Sequence, residues 1–351
     1  MLKKKHYSRV SLHLVPEGFP IMTERPLITL GFSSHRMEVL PYEQEEMWRH
    51  DAIVLEEAPE PGFIDVLAKR VDLGTYLENQ DMEFPEFGHR QFERLQELHQ
   101  ARKAIYQIEP YLERIIEIHT LLAQGAPPQE VADQPHLRPI YETEKQADGL
   151  LLKFYACSHT APFQRVVIAV KEFARADAAR FRLRDELRAQ ALLPLVDHFS
   201  RIYVEAGYIH LYLVKTLRRL LSGKARLRPV FLMASLARPA VGVPRPLGPG
   251  DLLTLFHIFQ GGLSEKSEEL LAARSLIYIK LLQKTEMAPD KDSAPHLHNE
   301  ITAYRLTEHL SFEDCAVLYP RVKLASPEIT QGEVQHYLKD KGWKIFTGSH
   351  R

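Results

Sequence analysis

A short apolar segment, a glycine and a histidine, followed by a helical pattern, occur twice in this chain, around residue 31 and again around residue 207. The first is Pro26-Leu27-Ile28-Thr29-Leu30, closed by Gly31 and followed by His35. The second is Arg201-Ile202-Tyr203-Val204-Glu205, closed by Ala206-Gly207 and followed by His210. Short β-branched and aromatic runs bounded by glycine read as strands, and strands that alternate with helical stretches make a parallel sheet. The expected class is therefore α/β, a mixed, mostly parallel sheet flanked by helices.

Other segments fit that frame. Val10, Leu12 and Leu14 alternate with polar residues as in a half-buried strand. Pro41 opens a helix through Glu43 to Met47, and Asp51 to Leu55 is a buried strand running into Glu56 and Glu57. Phe92, Leu95 and Leu98 mark a helix. Residues 104–109 read as a strand because Pro110 turns its neighbour away from the helical region and opens the next helix. Residues 126–138 read as a proline-rich loop. From Phe163 to about Leu195 the pattern is helical, with Val167, Phe173, Asp177, Phe181 and Arg184 on one face. A helix through Leu211, Leu217 and Leu221 and a strand at 229–233 complete an α/β domain over residues 1–235. Proline and glycine around residues 238–250 separate it from a helical C-terminal extension, residues 251–351. There Leu270 to Leu282 is helical, and Thr330 with Glu333 has the form of a capping box.

Composition excludes more than it selects. The chain has 351 residues and a net charge of −1, so it lacks the basic excess of a nucleic-acid binder, and no nucleic-acid partner is expected. Cys157 and Cys315 cannot form a disulfide framework or a cysteine zinc site. No apolar run approaches the ~20 residues of a membrane helix, and the N-terminal lysines are not followed by the apolar core of a signal peptide. A cytoplasmic location is expected. The signatures H-E-x-x-H, G-x-S-x-G and G-x-G-x-x-G and the phosphate loop do not occur.

In an open α/β sheet, ligands sit at the carboxyl ends of the strands. Those ends offer His35, Glu56, Glu57, Glu109, Glu205 and His210, residue types that act as general bases, as groups that orient them, or as metal ligands. A histidine or carboxylate at such a place is also commonly a satisfied loop residue or a helix cap. Arg184 lies on the inward face of its helix and needs a carboxylate or an anionic ligand, with Asp177 and Glu186 as structural alternatives. His296, His298 and Glu300 alternate in a proline-flanked segment, read as a solvated loop ahead of a metal site. Tyr203, Tyr208 and Tyr212 surround His210, to flank a ligand or to pack.

The order of four segments resembles the superfamily of TraB, Tiki, erythromycin esterase and ChaN-like proteins. They are Leu30-Gly31-Phe32-Ser33-Ser34-His35, Val54-Leu55-Glu56, Arg184-Asp185-Glu186 and Gly207-Tyr208-Ile209-His210. The resemblance covers residues 26–222. The second motif has the G-x-x-H spacing of TraB and Tiki. The first is G-x-x-x-H, closer to the esterases, with Phe32 where an acid is usual. The resemblance implies a hydrolase that activates water to cleave an ester or amide of a small-molecule or peptide substrate. It places His35, Glu56, Arg184 and His210 in the catalytic site, with Glu57, Glu109 and Asp185 as secondary candidates. A divalent metal, if used, would sit on His35, Glu56 and His210. The ChaN-like branch implies instead a non-catalytic haem- or metal-binding protein, and an inactive scaffold is the third reading. No motif fixes a cofactor or an oligomeric state.

Overall fold

The computed structural model describes residues 25–78, 82–289 and 294–343. The strand expected around Val10 to Leu14 lies outside them. The strands are β1 (Leu27–Ser33), β2 (Ala52–Leu55), β3 (Ala104–Gln107), β4 (Arg201–Gly207) and β5 (Arg226–Phe231). They form one sheet in the order β3-β2-β4-β1-β5, and every adjacent pair is parallel. The chain is thus α/β, as its sequence pattern predicts. β1 and β4 are buried along almost their whole length, which is why they read as nearly continuous apolar runs.

Between β1 and β3 come α1 (Leu40–Trp48), the short α2 (Phe63–Leu67) and α3 (Leu73–Leu77), and α4 (Pro85–Gln100). From β3 to β4 run α5 (Pro110–Ala123), α6 (Pro128–Ala132), α7 (Arg138–Ser158) and α8 (Phe163–Leu192). Helix α9 (Leu211–Leu221) joins β4 to β5. Beyond β5 lie α10 (Ala234–Val241), α11 (Pro249–Ile258), α12 (Glu265–Leu281), α13 (Pro295–Glu308), α14 (Phe312–Val322) and α15 (Pro327–Asp340). None of the helices among the described residues is long and apolar enough to cross a membrane.

Alternate residues of each strand feed two different cores. Ile53, Leu55, Ile105 and Tyr203 pack with Met47 of α1 and with Phe92, Leu95 and Leu98 of α4. Ala52, Val54, Ile202 and Val204 pack on the other face with Ala189 and Leu192 of α8 and Leu213 and Leu217 of α9. The connection leaving β2 therefore covers one face, while the connection leaving β4 covers the opposite face. β2 and β4 are neighbours, so the chain parts between their carboxyl ends and opens a crevice there.

Helix α8 is 30 residues long, about 45 Å at 1.5 Å per residue. Its C-terminal end packs on the sheet. Its N-terminal half contributes Val166, Val167 and Ala174 to a separate core with Ala272, Leu276, Leu306, Leu318 and Val334 of the C-terminal helices. One helix thus joins the sheet to the extension.

Several local expectations give way to tertiary packing. Gly31 does not end its strand: β1 continues to Ser33, and a Cβ at Gly31 would lie 2.2 Å from Tyr203 Oη. Only glycine leaves room for that ring on the neighbouring strand. β4 likewise runs on through Ala206-Gly207. The proline-rich loop at 126–138 contains α6. His296, His298 and Glu300 lie on α13 rather than in a loop: His296 is buried, and its Nε2 accepts a hydrogen bond from the Met287 amide. The last helix starts a turn earlier than Thr330 suggests, capped by Ser326, whose hydroxyl accepts from the Ile329 N–H; Thr330 itself is buried.

Candidate functional site

The crevice between β2 and β4 gathers the seven residues singled out from the sequence, in two layers. His35, Glu56 and Glu57 line an open cavity of about 470 Å³. Arg184, Asp185, Glu109 and His210 lie behind Glu56, in a network that ends at the sheet and α8. Gly207, at the end of β4, is the meeting point. A Cβ there would lie 3.7 Å from Glu56 Oε2, 3.7 Å from His210 Cδ2 and 3.9 Å from His35 Cε1. The two histidines therefore flank one glycine.

Glu56 follows directly on β2 and holds the network together. Its Oε2 accepts the Gly207 N–H at 2.6 Å, and its Oε1 accepts Arg184 Nη2 at 2.8 Å. His210 Nε2 lies 2.9 Å from Oε1, and Arg188 Nη1 lies 3.6 Å from Oε2. His210 Nδ1 is 2.5 Å from Asp185 Oδ1. Glu109, at the end of β3, faces Arg184 Nε at 3.2 Å and Arg188 Nε at 3.6 Å. Three cations thus meet three carboxylates in a largely buried site. Burial alone would raise the Glu56 carboxyl, but the charges of His210, Arg184 and Arg188 hold it well below the usual carboxylate range. Burial alone would lower the His210 imidazole, but Glu56 and Asp185 push it up to about 9, so it is an imidazolium at neutral pH.

Arg184 reaches this network with 18% of its side chain exposed. Its candidate partner Asp177 is engaged by Arg180 instead, and Glu186 by Tyr212. The more deeply set cation is Arg188, 0% exposed, one helical turn further along the same face. Sequence reasoning missed it, although i, i+4 spacing from Arg184 was the available signal. Of the three tyrosines, Tyr203 is on the α4 face of the sheet, away from His210, donating to Glu43, and Tyr208 packs on Phe231.

The front layer is different in kind. His35 Nε2 lies 3.4 Å from Glu205 Oε1, without hydrogen-bond geometry, and no described group bonds it. The His35 backbone has φ 52, the left-handed region that side chains seldom enter. Glu205, the other residue underrated from the sequence, is buried at the end of β4. It accepts the Glu56 N–H through Oε2 and Gln91 Nε2 through Oε1. The Gln91 amide also reaches Glu43, whose carboxyl burial and Glu205 push well above its ordinary range. Strand alternation predicts that Glu56 alone faces the cavity, with Glu57 turned away. Both line it, because the chain leaves the strand at Leu55 and the strict alternation ends there. Burial and then Glu205 raise the Glu57 carboxyl to about 7, against one hydrogen bond from Gln107.

The donors do not suit a metal. Both His210 ring nitrogens are occupied by carboxylates, and Glu56 is shared among two arginines, an imidazolium and a backbone amide. Among the described residues no three histidine, cysteine, aspartate or glutamate side chains are grouped as a metal ion requires. Haem fits no better, since carboxylates line the cavity and would repel its propionates.

No protein-family model matches the chain. No solved structure matches it significantly. A protein of Archaeoglobus fulgidus, described as an uncharacterized protein, is 30% identical over 291 residues, which span 83% of this chain and 97% of that protein. At that identity and coverage, the chain belongs to the family of this archaeal protein.

Proposed function

We propose that the protein is a hydrolase of the TraB, Tiki and erythromycin esterase type, cleaving an ester or amide with water activated by His35. The observation that carries this reading is the state of His35: a side chain one-third exposed at the wall of a cavity, on a strained backbone, with its buried Nε2 set beside Glu205. Strain of this kind persists where the surrounding structure holds a residue for a task. With Nε2 buried beside Glu205, the other ring nitrogen of His35, Nδ1, would take a proton from water while the resulting hydroxide attacks the carbonyl carbon. Glu205 would steady the imidazolium so formed. As the tetrahedral species collapses, the carbon–oxygen or carbon–nitrogen bond breaks and a proton passes to the leaving group. The His35 imidazolium returns that proton, which restores the ring to its starting state. In this reading His210 and Arg184 are not bases. They fix Glu56, and Glu56 fixes the glycine around which both loops turn.

The test is hydrolysis of a panel of p-nitrophenyl esters and anilides by the purified protein and by His35→Gln. Loss of a general base costs about 10²–10⁴-fold in turnover. Equal turnover by His35→Gln, or none by either protein across the panel, would sink the proposal.

A further inference from the structure

The cavity in front of Glu56 carries an unbalanced charge. Glu56, Glu57, Glu60, Glu83 and Glu205 line it, and among the described residues no lysine or arginine does. Glu56 is neutralised from behind by Arg184, Arg188 and His210. Arg36, stacked 3.5 Å over the Phe84 ring, lies near Glu83. Among the described residues, no lysine or arginine forms an ion pair with Glu57, Glu60 or Glu205; the one basic side chain paired with Glu205 among them is His35. Glu205 is 4% exposed, and burial of a carboxylate favours a cation beside it.

The rest of the lining is of a second chemistry. Tyr76, Phe84, Phe87, Phe92, Ile115 and Ile116 form an aromatic and aliphatic wall facing the same space. The volume, about 470 Å³, is in the range of small-molecule sites. A bare metal ion would leave that wall without a partner. The carboxylates are also not free to close round an ion, since Glu57 accepts from Gln107, and Glu205 from Gln91 and the Glu56 amide.

We propose that this cavity takes an amphipathic organic cation, its ammonium or guanidinium head among Glu57, Glu60 and Glu205 and its apolar body on the aromatic wall. Calling that molecule the substrate rests on the proposed hydrolysis; its binding does not. The head would supply a countercharge to Glu205, and its position would set the scissile bond beside His35.

Calorimetric titration of the full chain at neutral pH and low salt tests this with three probes of one shape: phenylbutylamine, phenylbutanol and phenylbutyrate. The amine should bind about tenfold more tightly than the alcohol, the equivalent of one ion pair in a half-buried site. Phenylbutyrate should bind more weakly than the alcohol. Glu57→Gln and Glu60→Gln should each weaken the amine several-fold and leave the alcohol unchanged. Glu60→Gln, in the loop beyond β2, is the second variant that guards against misfolding of Glu57→Gln. An amine that binds no better than the alcohol, or is indifferent to both substitutions, overturns the proposal. So does manganese(II) that displaces the amine at micromolar concentration, which would make this a metal site. Amine binding without ester turnover would remove the hydrolase reading and keep the cation site. Turnover of neutral esters without amine binding would do the reverse.

Discussion

The carboxyl ends of β1 and β4 share a pattern, a glycine in the strand and a histidine after it, but leave their histidines in opposite physical states. His210 is 2% exposed, with a carboxylate on each ring nitrogen. His35 is 33% exposed, with one carboxylate at 3.4 Å. The loops do not make this difference; the neighbouring elements do. Helix α8 passes behind the β4 loop and brings Asp185, Arg184 and Arg188 to it, whereas the β1 loop faces the cavity and α4, whose Phe87 ring lies 5.9 Å from His35. The same motif thus yields a rigid ionic support in one place and a free ring in the other. The glutamates show the contrast over one residue: Glu56 is held well below its ordinary range by three cations, while Glu57, without them, rises to about 7.

The sharpest way to break this comparison is to remove the support. Arg188→Met should destabilise the protein by about 3–5 kcal/mol in denaturant unfolding at neutral pH, because it takes a fully buried cation from between Glu56 and Glu109, leaves Glu109 to Arg184 alone, and strips the Ile108 carbonyl of its donor. Arg184→Met, at a side chain that still touches solvent, should cost clearly less, about 1–2 kcal/mol. Equal effects would mean that the network is not graded by depth, and that α8 is no more a support for one loop than for the other.

The pH dependence of stability comes next in size. His210 has a folded-state pKa raised to about 9 from an ordinary value of 6.5. Its contribution is therefore complete below pH 6.5 and is lost as pH rises through 9, roughly 3 kcal/mol at 1.36 kcal/mol per unit. Glu56 has the opposite sign: its contribution is present above the ordinary carboxylate value of 4.5 and disappears as pH falls below it. The two share one ion pair and do not add. Unfolding free energy measured across pH 6 to 10 should fall in the native protein and fall markedly less in His210→Gln. A slope unchanged by the substitution would return the raised titration to some other group.

Most of the sheet was legible because parallel strands buried on both faces leave dense β-branched runs, and because Pro41 and Pro110 announce helices that begin at or next to them. What was not legible depended on contacts across the chain. Gly31 looks like a turn glycine until Tyr203 is laid beside it. Arg188 looks like one more arginine on a charged helix, and only the helix crossing behind Glu56 buries it fully, at 0% exposure. Glu205 belongs to the site because β4 lies next to β2 and its carboxylate caps the Glu56 amide, a pairing of residues 149 positions apart. The positions of Glu56 and His210 could be read from strand ends alone. Their protonation states could not, since these follow from α8, α9 and the end of β3 arriving together.

The smallest effect concerns the backbone that presents His35. At φ 52 a Cβ crowds the following carbonyl, which costs a residue of L configuration about 1–2 kcal/mol and costs glycine nothing. His35→Ala and His35→Gly both remove the ring, its approach to Glu205 and its contact with Phe87, so the difference between them isolates the backbone. The glycine variant should be the more stable by about 1 kcal/mol, because glycine's larger loss of chain entropy offsets part of the relief. Ser34, the preceding residue, has no such backbone, and there the order should reverse, with glycine less stable than alanine by about 0.5–1 kcal/mol. Thermal unfolding of the four variants checks both signs. If alanine is as stable as glycine at position 35, the left-handed turn is not strained. The contrast between the two loops would then rest on charge alone, and the presentation of His35 would lose the feature that most suggests selection for a task.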